Sequence, residues 1–185
     1  MRRRTIAPSV LGLSVLAGGA TLGQTGPIPE GRPPEWGVDI GYGFPLHMNP
    51  GPSNEHQAVL SPSVGFRISS RFELVAAANF ERYLTPRGYF VGVLPVGARL
   101  SIGHGPYMPY VALGLGFGWT DLSDLPEISR RFNFRIEGAA GLRARVTETD
   151  AWVLELRYAH TSNAGTSFPN FGLNSLVLLA GWRFR

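Results

Sequence analysis

From residue 36 onward, apolar side chains recur at every second position, which is the period of a β-strand with one hydrophobic face. In residues 132–146 the even positions are aromatic, aliphatic or small, whereas asparagine, arginine and glutamate occupy most of the odd ones. The same alternation predicts eight strands, each long enough to cross a bilayer when tilted. They are expected near residues 36–46, 58–68, 72–82, 89–102, 108–119, 132–147, 151–162 and 175–184.

The lengths of the connections also alternate. Strands 2–3, 4–5 and 6–7 are joined by short segments, strands 1–2, 5–6 and 7–8 by long ones, and strands 3–4 by one of intermediate length. A soluble β-sandwich would share the alternation of side chains, but short inner turns opposite long outer loops are typical of outer-membrane barrels. We therefore predict an all-β fold, a closed eight-stranded antiparallel transmembrane β-barrel, in which every backbone hydrogen bond is satisfied in lipid. The loop after strand 7 then lies on the external side.

Charged residues fall mainly on the face opposite the apolar one and are therefore expected inside the barrel. An eight-stranded barrel is filled by its own side chains, so these charges should neutralise one another as a structural network. A small-molecule channel is disfavoured for the same reason. The residues expected in this network are Arg67, Glu73, Arg99, Arg135, Glu137, Arg143, Glu155 and Arg157.

Composition agrees with a membrane barrel. The 185 residues are 44% hydrophobic and only 16% charged, yet the sequence contains no apolar run of the length, about 18 residues, that a spanning helix needs. Cysteine is absent, which excludes disulfides, thiolate metal sites and a cysteine nucleophile. The 24 glycines and 15 prolines favour strands and turns over long helices.

The first 20 residues have the features of a Sec signal peptide. Arg2–Arg4 precede an apolar stretch over 6–17 and the small residues 18–20. An anchor helix is the alternative, but the stretch is short for a bilayer. We expect a signal peptide at 1–20, a flexible lead-in at 21–35 and the barrel at 36–185. Cleavage would lower the net charge from +4 to +1 (4 − 3), which removes most of the electrostatic support for a nucleic-acid partner.

The predicted seventh strand carries two polar residues on its lipid-facing side. Its outward row of Trp152, Leu154, Leu156 and Tyr158 continues in the same parity to His160 and Ser162. Polar groups facing hydrocarbon are costly, so they need a reason. An i, i+2 pair on a strand shares one face with Cα atoms about 6–7 Å apart. An imidazole beside a hydroxyl is the minimum for an activated serine; a polar strand end at the membrane interface is the other interpretation.

The residues after this pair form a longer pattern. His160-Thr161-Ser162-Asn163 is followed by Pro169-Asn170, Gly172 and Asn174-Ser175. This resembles the carboxy-terminal signature of the outer-membrane lipid A 3-O-deacylase (PagL) family, H-x-S-N and then P-N-x-G-x-E-S, without a gap. The resemblance implies a serine esterase of the bacterial outer membrane that removes an ester-linked acyl chain, at the 3-O position, from lipid A (lipopolysaccharide). It implies no metal and no cofactor, and it leaves a homodimer open.

The resemblance also implies a role for each matching residue. Ser162 would be the nucleophile and His160 the general base, while Asn170 and the backbone N–H near Asn163 would stabilise the oxyanion. Asn174 stands where the family has glutamate. An amide oxygen can orient the imidazole but cannot stabilise its charged form, so we expect either a weakened esterase or a non-catalytic structural or adhesive barrel with a degenerate site. Parity and distance oppose a substitute acid among Glu81, Asp121, Asp124 and Glu127.

The remaining histidines and aromatic residues receive simpler interpretations. His47 and His56 are expected in the first outer loop and His104 in an inner turn, without the spacing of a metal site. Aromatic residues near the predicted strand ends are expected to form interfacial girdles. These are Trp36, Trp119, Trp152, Trp182, Tyr42, Tyr107 and Tyr158.

Overall fold

The computed structural model describes residues 33–46, 54–125 and 127–185, which form a closed antiparallel barrel of eight strands. The predicted fold class is confirmed. No helix within the described ranges is long and apolar enough to cross a membrane. The strands are β1 (Glu35–Pro45), β2 (His56–Arg67), β3 (Phe72–Thr85), β4 (Arg87–Ser101), β5 (Tyr107–Thr120), β6 (Phe132–Arg145), β7 (Ala151–Ser162) and β8 (Leu173–Phe184).

The predicted leader is mostly beyond what the structure describes. The expected signal peptide at 1–20 and most of the lead-in at 21–35 lie outside the described residues. The last residue assigned to the lead-in, Glu35, belongs to β1 instead, where it is buried inside the barrel. The barrel closes because β1 pairs with β8 as well as with β2, with Trp36 opposite both Phe184 and Val64. Each strand therefore has two partners, and no sheet edge is left unpaired.

The connections follow the predicted rhythm with one correction. Long connections follow β1, β5 and β7 at one end of the barrel, and short ones follow β2, β4 and β6 at the other. The 3–4 connection, predicted to be intermediate, is a single residue, Pro86. The strands of the β3–β4 hairpin are longer than the apolar alternation predicted. Tyr83 and Phe90, near the tip of this hairpin, are buried in the mouth of the barrel, which keeps this part of both strands in the sheet.

Opposite charges are paired inside the barrel, as the alternation predicted. Arg135 Nε lies 2.7 Å from Glu137 Oε1, and its guanidinium also binds Glu81. Arg157 bridges Glu137 at 3.3 Å and Glu155 at 2.7 Å. Every residue expected in this network makes an ion pair. Five further residues that were not predicted to belong to the network also make ion pairs, and they are Glu35, Asp39, Glu81, Arg183 and Arg185.

An interior cavity of about 50 Å³ lies among these charges, lined in part by Arg99, Glu137 and Arg157. That volume has room for only a few water molecules. Above it, a hydrophobic cluster fills the external mouth, where Tyr83 and Phe90 pack with Leu122, Ile128 and Leu173. The cluster joins the 121–131 loop to Leu173 at the start of β8, directly after Gly172 of the P-N-x-G pattern.

Candidate active site

The register of β6, β7 and β8 determines which side chains meet at the external end of the barrel. His160 lies opposite Asn174 on β8, and Ser162 lies opposite Phe134 on β6. His160, Ser162 and Asn174 are partly exposed on the outer face, whereas Thr161 between the first two is buried inside. The structure therefore places the predicted serine, histidine and asparagine on one outward face, as their parity required.

A hydrogen bond joins the histidine to the residue at the position of the family's glutamate. His160 Nδ1 lies 2.8 Å from Asn174 Oδ1. Asn174 Nδ2 donates to the carbonyl oxygen of Gly172 at 3.3 Å, so the amide oxygen is the atom that faces the imidazole. An oxygen acceptor requires a proton on Nδ1, which leaves Nε2 with the lone pair that a general base uses.

A second donor reaches the same amide oxygen. The hydroxyl of Tyr158, two residues before His160 on β7, donates to Asn174 Oδ1 at 2.7 Å. Tyr158 was predicted to be an interfacial girdle residue, and its ring does lie on the outer face. Its hydroxyl, however, belongs to the site. The sequence offered a signal for this, because residues i and i+2 share one face of a strand.

Gly172 supports the histidine ring from the loop side. Its φ is +79°, and a Cβ on its backbone would overlap His160 Cε1. Its N–H donates to the carbonyl oxygen of Glu127 at 2.6 Å. Only glycine combines this left-handed conformation with such a close approach. Gly172, the glycine of the P-N-x-G pattern, therefore packs directly against the imidazole of His160.

The chain turns sharply directly after the serine. Ser162 is the last residue of β7, and residues 163–166 form a turn that is closed by a 3.2 Å hydrogen bond from Thr166 N to Asn163 O. Two residues of this turn have positive φ angles, Ala164 at 54° and Gly165 at 76°. A left-handed alanine costs about 1–2 kcal/mol. The side chain of Asn163, only 1% exposed, holds this turn through bonds from Nδ2 to Ile128 O at 2.8 Å and Ser167 O at 3.1 Å.

The two groups expected to bind the oxyanion are hydrogen-bonded to each other. Asn163 N donates to Asn170 Oδ1 at 3.1 Å, so this N–H is already hydrogen-bonded within the protein. The oxyanion role of the Asn163 N–H therefore stays a prediction, and it would require exchange of this bond for one to the substrate. With its oxygen used in this way, Asn170 has its Nδ2 group as a donor for an incoming oxyanion.

The hydrogen bonds of the described residues do not include one between Ser162 and His160. Bonds between a nucleophile and its base are often long in a free enzyme and shorten when substrate binds. Both side chains nevertheless share the outward face of β7, at adjacent outward positions of the strand.

The 121–131 loop fixes the 163–172 loop, which carries half of the site. Besides the bond from Gly172 to Glu127, Ser129 Oγ donates to Pro169 O, and Arg130 Nη2 donates to Thr166 O at 3.2 Å. These contacts were not predicted, because the 121–131 segment has no periodicity from which its neighbours could be read. Glu127 contributes to these contacts through its backbone carbonyl oxygen, which accepts the bond from Gly172 N, and not through its carboxylate.

None of the alternative acids is found beside His160. Glu81 binds Arg135 inside the barrel, and Asp121 Oδ1 accepts a bond from Tyr89 N at 2.6 Å. Asp124 is exposed in the 121–131 loop. Asn174 is therefore the group that contacts His160 Nδ1 in the described part of the chain.

The other histidines lie away from this site. His56 begins β2 and does not lie in the first outer loop, because its ring packs against Tyr42 and Phe44 with centroids 5.8 and 6.0 Å apart. His104 Nε2 is 3.0 Å from Arg71 Nη2 in the inner turns, and His47 lies outside the described residues. Within the described ranges, no group of three or more histidine, aspartate or glutamate side chains could hold a metal ion.

The closed barrel with its apolar outer face is an outer-membrane β-barrel fold, and its outward serine and histidine are the residue types of an acyl hydrolase. The family model for "Lipid A 3-O-deacylase (PagL)" matches residues 36–183. The chain belongs to this family, whose members are lipid A deacylases. No curated protein sequence matches the chain.

Solved structures share the architecture at low sequence identity. The outer membrane enzyme PagL superposes with a TM-score of 0.63 at 16% identity, covering 80% of this chain and 97% of that one. Neisserial surface protein A (NspA) has a TM-score of 0.59 at 13% identity, covering 82% and 94%. The N-terminal β-barrel domain of Pseudomonas aeruginosa OprF has a TM-score of 0.50 at 14% identity, covering 81% and 97%. At these identities the likeness supports the fold alone.

Proposed function

We propose that this protein is a serine esterase that removes an ester-linked acyl chain, at the 3-O position, from lipid A in the outer leaflet of the bacterial outer membrane. Family membership supports lipid A as the substrate class. The observation that carries the proposal is the 2.8 Å contact between His160 Nδ1 and Asn174 Oδ1, because it leaves Nε2 as a base on the same face as Ser162. The spacing from His160 to Ser175 matches the family's signature without a gap, which also supports the proposal.

The reaction follows from the roles of these groups. Ser162 Oγ attacks the ester carbonyl carbon as His160 Nε2 takes the hydroxyl proton. The negative charge that develops on the carbonyl oxygen accepts a hydrogen bond from Asn170 Nδ2. Collapse of this tetrahedral intermediate breaks the ester bond, and the sugar oxygen leaves with the proton that His160 donates. His160 Nε2 then takes a proton from water as the water attacks the acyl-serine. When this second intermediate collapses, His160 returns the proton to Ser162 Oγ, which leaves as the free serine and releases the fatty acid.

The site also suits an amphiphilic substrate. The outer surface below it is hydrophobic, with Leu154 and Leu156 exposed on β7 and Leu178 on β8. Acyl chains can lie along such a surface within the bilayer while the sugar remains at the external end. The reactive groups would then meet the ester at the boundary between the two, without extraction of the lipid from the membrane.

A non-catalytic barrel with a degenerate site is the second candidate function. Asn174 favours it, because an amide cannot stabilise an imidazolium by charge, and exchange of the acid for its amide in a serine protease costs about 10⁴ in rate. That penalty arises chiefly from the wrong tautomer. Here Asn174 presents its oxygen to Nδ1, so the tautomer is the productive one and the larger part of the penalty does not apply.

Mass spectrometry of lipid A tests the proposal. Cells that express the wild type should lose one ester-linked hydroxyacyl chain, and cells that express Ser162→Ala should not. Ser70→Ala, in an exposed inner turn, is the matched control and should behave as the wild type. A shift in gel mobility on heating shows that each variant is a folded barrel. Unchanged lipid A in cells that contain folded wild type, both in intact membranes and after detergent extraction, would favour the non-catalytic barrel.

A further inference from the structure

The hydroxyl of Tyr158 has a specific contact that an interfacial girdle residue does not need. It donates to Asn174 Oδ1 at 2.7 Å, and the same oxygen accepts the bond from His160 Nδ1 at 2.8 Å. Tyr158 is half-buried, whereas Leu154 and Leu156 on the same row are exposed. In register terms Tyr158 lies opposite Leu176, one outward position below the pair of His160 and Asn174. A long aromatic side chain can reach such a diagonal neighbour.

An asparagine at this position raises a problem that a glutamate does not. The two oxygens of a carboxylate are equivalent, so either can accept the Nδ1–H of a histidine. The amide of Asn174 has one acceptor and one donor, and rotation by half a turn would present Nδ2 to His160. Two donors would then face each other unless the imidazole moved its proton to Nε2, where it would no longer act as a base. The orientation of this amide therefore decides whether His160 can act.

Two contacts favour the observed orientation of the Asn174 amide. The carbonyl oxygen of Gly172 accepts a bond from Asn174 Nδ2, and in the rotated amide it would face Oδ1, another acceptor. That bond is 3.3 Å long and therefore weak. The bond from Tyr158 is shorter and is made to the oxygen that contacts His160. In the rotated amide the hydroxyl would have to accept from Nδ2 and turn its own proton away from the amide, so this bond favours the observed orientation. Without the hydroxyl of Tyr158, the long bond from Asn174 Nδ2 to Gly172 O would be the remaining hydrogen bond that favours this orientation of the amide.

We propose that Tyr158 is a positioning residue, which holds the amide oxygen of Asn174 on His160 Nδ1 and so maintains the tautomer in which Nε2 is the base. This inference rests on the proposed function. Tyr158 acts through Asn174 and His160 and requires no contact with substrate. The hydroxyl of Tyr158 thereby supplies the orientation that the symmetry of a carboxylate would supply, but not the charge that would stabilise an imidazolium.

A double-mutant cycle tests the proposal. Tyr158→Phe keeps the ring and removes the hydroxyl. In the natural Asn174 background it should lower kcat about 3- to 10-fold, the range that one hydrogen bond gives, with KM unchanged. Asn174→Glu alone should raise kcat. In that background Tyr158→Phe should change kcat less than about twofold, because a carboxylate needs no orientation. Equal losses in both backgrounds, or no loss in either, would overturn the proposal.

A spectroscopic measurement tests the same inference without activity. Nitrogen-15 NMR of His160 in detergent should show a proton on Nδ1 in the wild type and a mixture of tautomers in Tyr158→Phe. Tyr107→Phe, at the other end of the barrel, is the matched control and should leave the tautomer unchanged. An unchanged tautomer in Tyr158→Phe would refute the role of Tyr158. Absence of Ser162-dependent hydrolysis in the wild type would refute the proposed function, and the NMR result would still decide the question of orientation.

Discussion

The interior of the barrel and the outer end of β7 both concentrate polar side chains, but they satisfy them in opposite ways. Inside, full charges meet in pairs, such as Arg183 Nη1 and Asp39 Oδ1 at 2.6 Å and Arg99 Nη1 and Glu73 Oε2 at 2.7 Å. On the outer face Tyr158, His160 and Asn174 form a hydrogen-bonded set with no carboxylate.

The difference follows from what surrounds each region. A charge inside the barrel is enclosed by strands that supply a counter-charge, which offsets the cost of desolvation. A carboxylate on the outer face would border lipid, whereas the arginines of the described ion pairs bind carboxylates of the interior network. Neutral groups that bind each other avoid that cost. An asparagine in the position of the catalytic acid therefore exchanges charge stabilisation for a lower cost of burial.

The two regions meet at one residue. Thr161 lies between His160 and Ser162 but points inward, and its hydroxyl accepts a bond from Arg135 Nη1 at 3.2 Å. The interior network thus supports the strand from behind the site. If the two regions serve different purposes, stability and chemistry, they should be separable by mutation.

Removal of a central interior charge should give the largest effect, and it should act on stability. Arg135→Met leaves Glu81 and Glu137 without their shared partner. Loss of one side of a buried ion pair costs about 3–5 kcal/mol. Urea unfolding in lipid vesicles should show this loss, whereas Arg145→Met, an exposed change at the other end of β6, should show little. Unfolding of Arg135→Met at the same urea concentration as the wild type would contradict a stabilising role for the interior charges.

Removal of the oxyanion donor should give the next largest effect, and it should act on catalysis. Asn170→Ala removes the amide that we assign to the oxyanion, and loss of one such donor typically lowers kcat about 10²- to 10³-fold. Hydrolysis of a soluble ester in detergent would measure it. Asn54→Ala, exposed before β2, is the control. A loss below threefold would show that Asn170 is not the donor.

A methyl group under the histidine should give a smaller effect. Gly172→Ala adds a Cβ that overlaps the His160 ring and places alanine at a φ of +79°. If the conformational cost of about 1–2 kcal/mol disfavours the active arrangement of His160, activity should fall roughly 5- to 30-fold. Gly103→Ala is a close match, because Gly103 has a φ of +90° but open space around it. Similar activity in the two variants would mean that Gly172 does not support the imidazole.

The sequence predicted the barrel and the shared face of the site well, because both depend on a period of two that is local and exact in its geometry. His160, Ser162 and Asn174 needed only their parity and the order of the strands. The contacts of Asn163 with Ile128 and of Gly172 with Glu127 could not be predicted, since they join two loops that lack periodicity. The role of Tyr158 was missed for another reason, because an outward tyrosine near a strand end fits the interfacial girdle equally well.

The central claim is that Ser162 is a nucleophile activated on the outer face of the barrel. A serine-directed phosphonate added to the folded protein in detergent tests it most directly, with peptide mass spectrometry to locate the adduct. We expect one adduct per chain, on Ser162, which is absent in Ser162→Ala and forms much more slowly in His160→Ala. No adduct on the folded wild type, or equal labelling of Ser162→Ala, would contradict it.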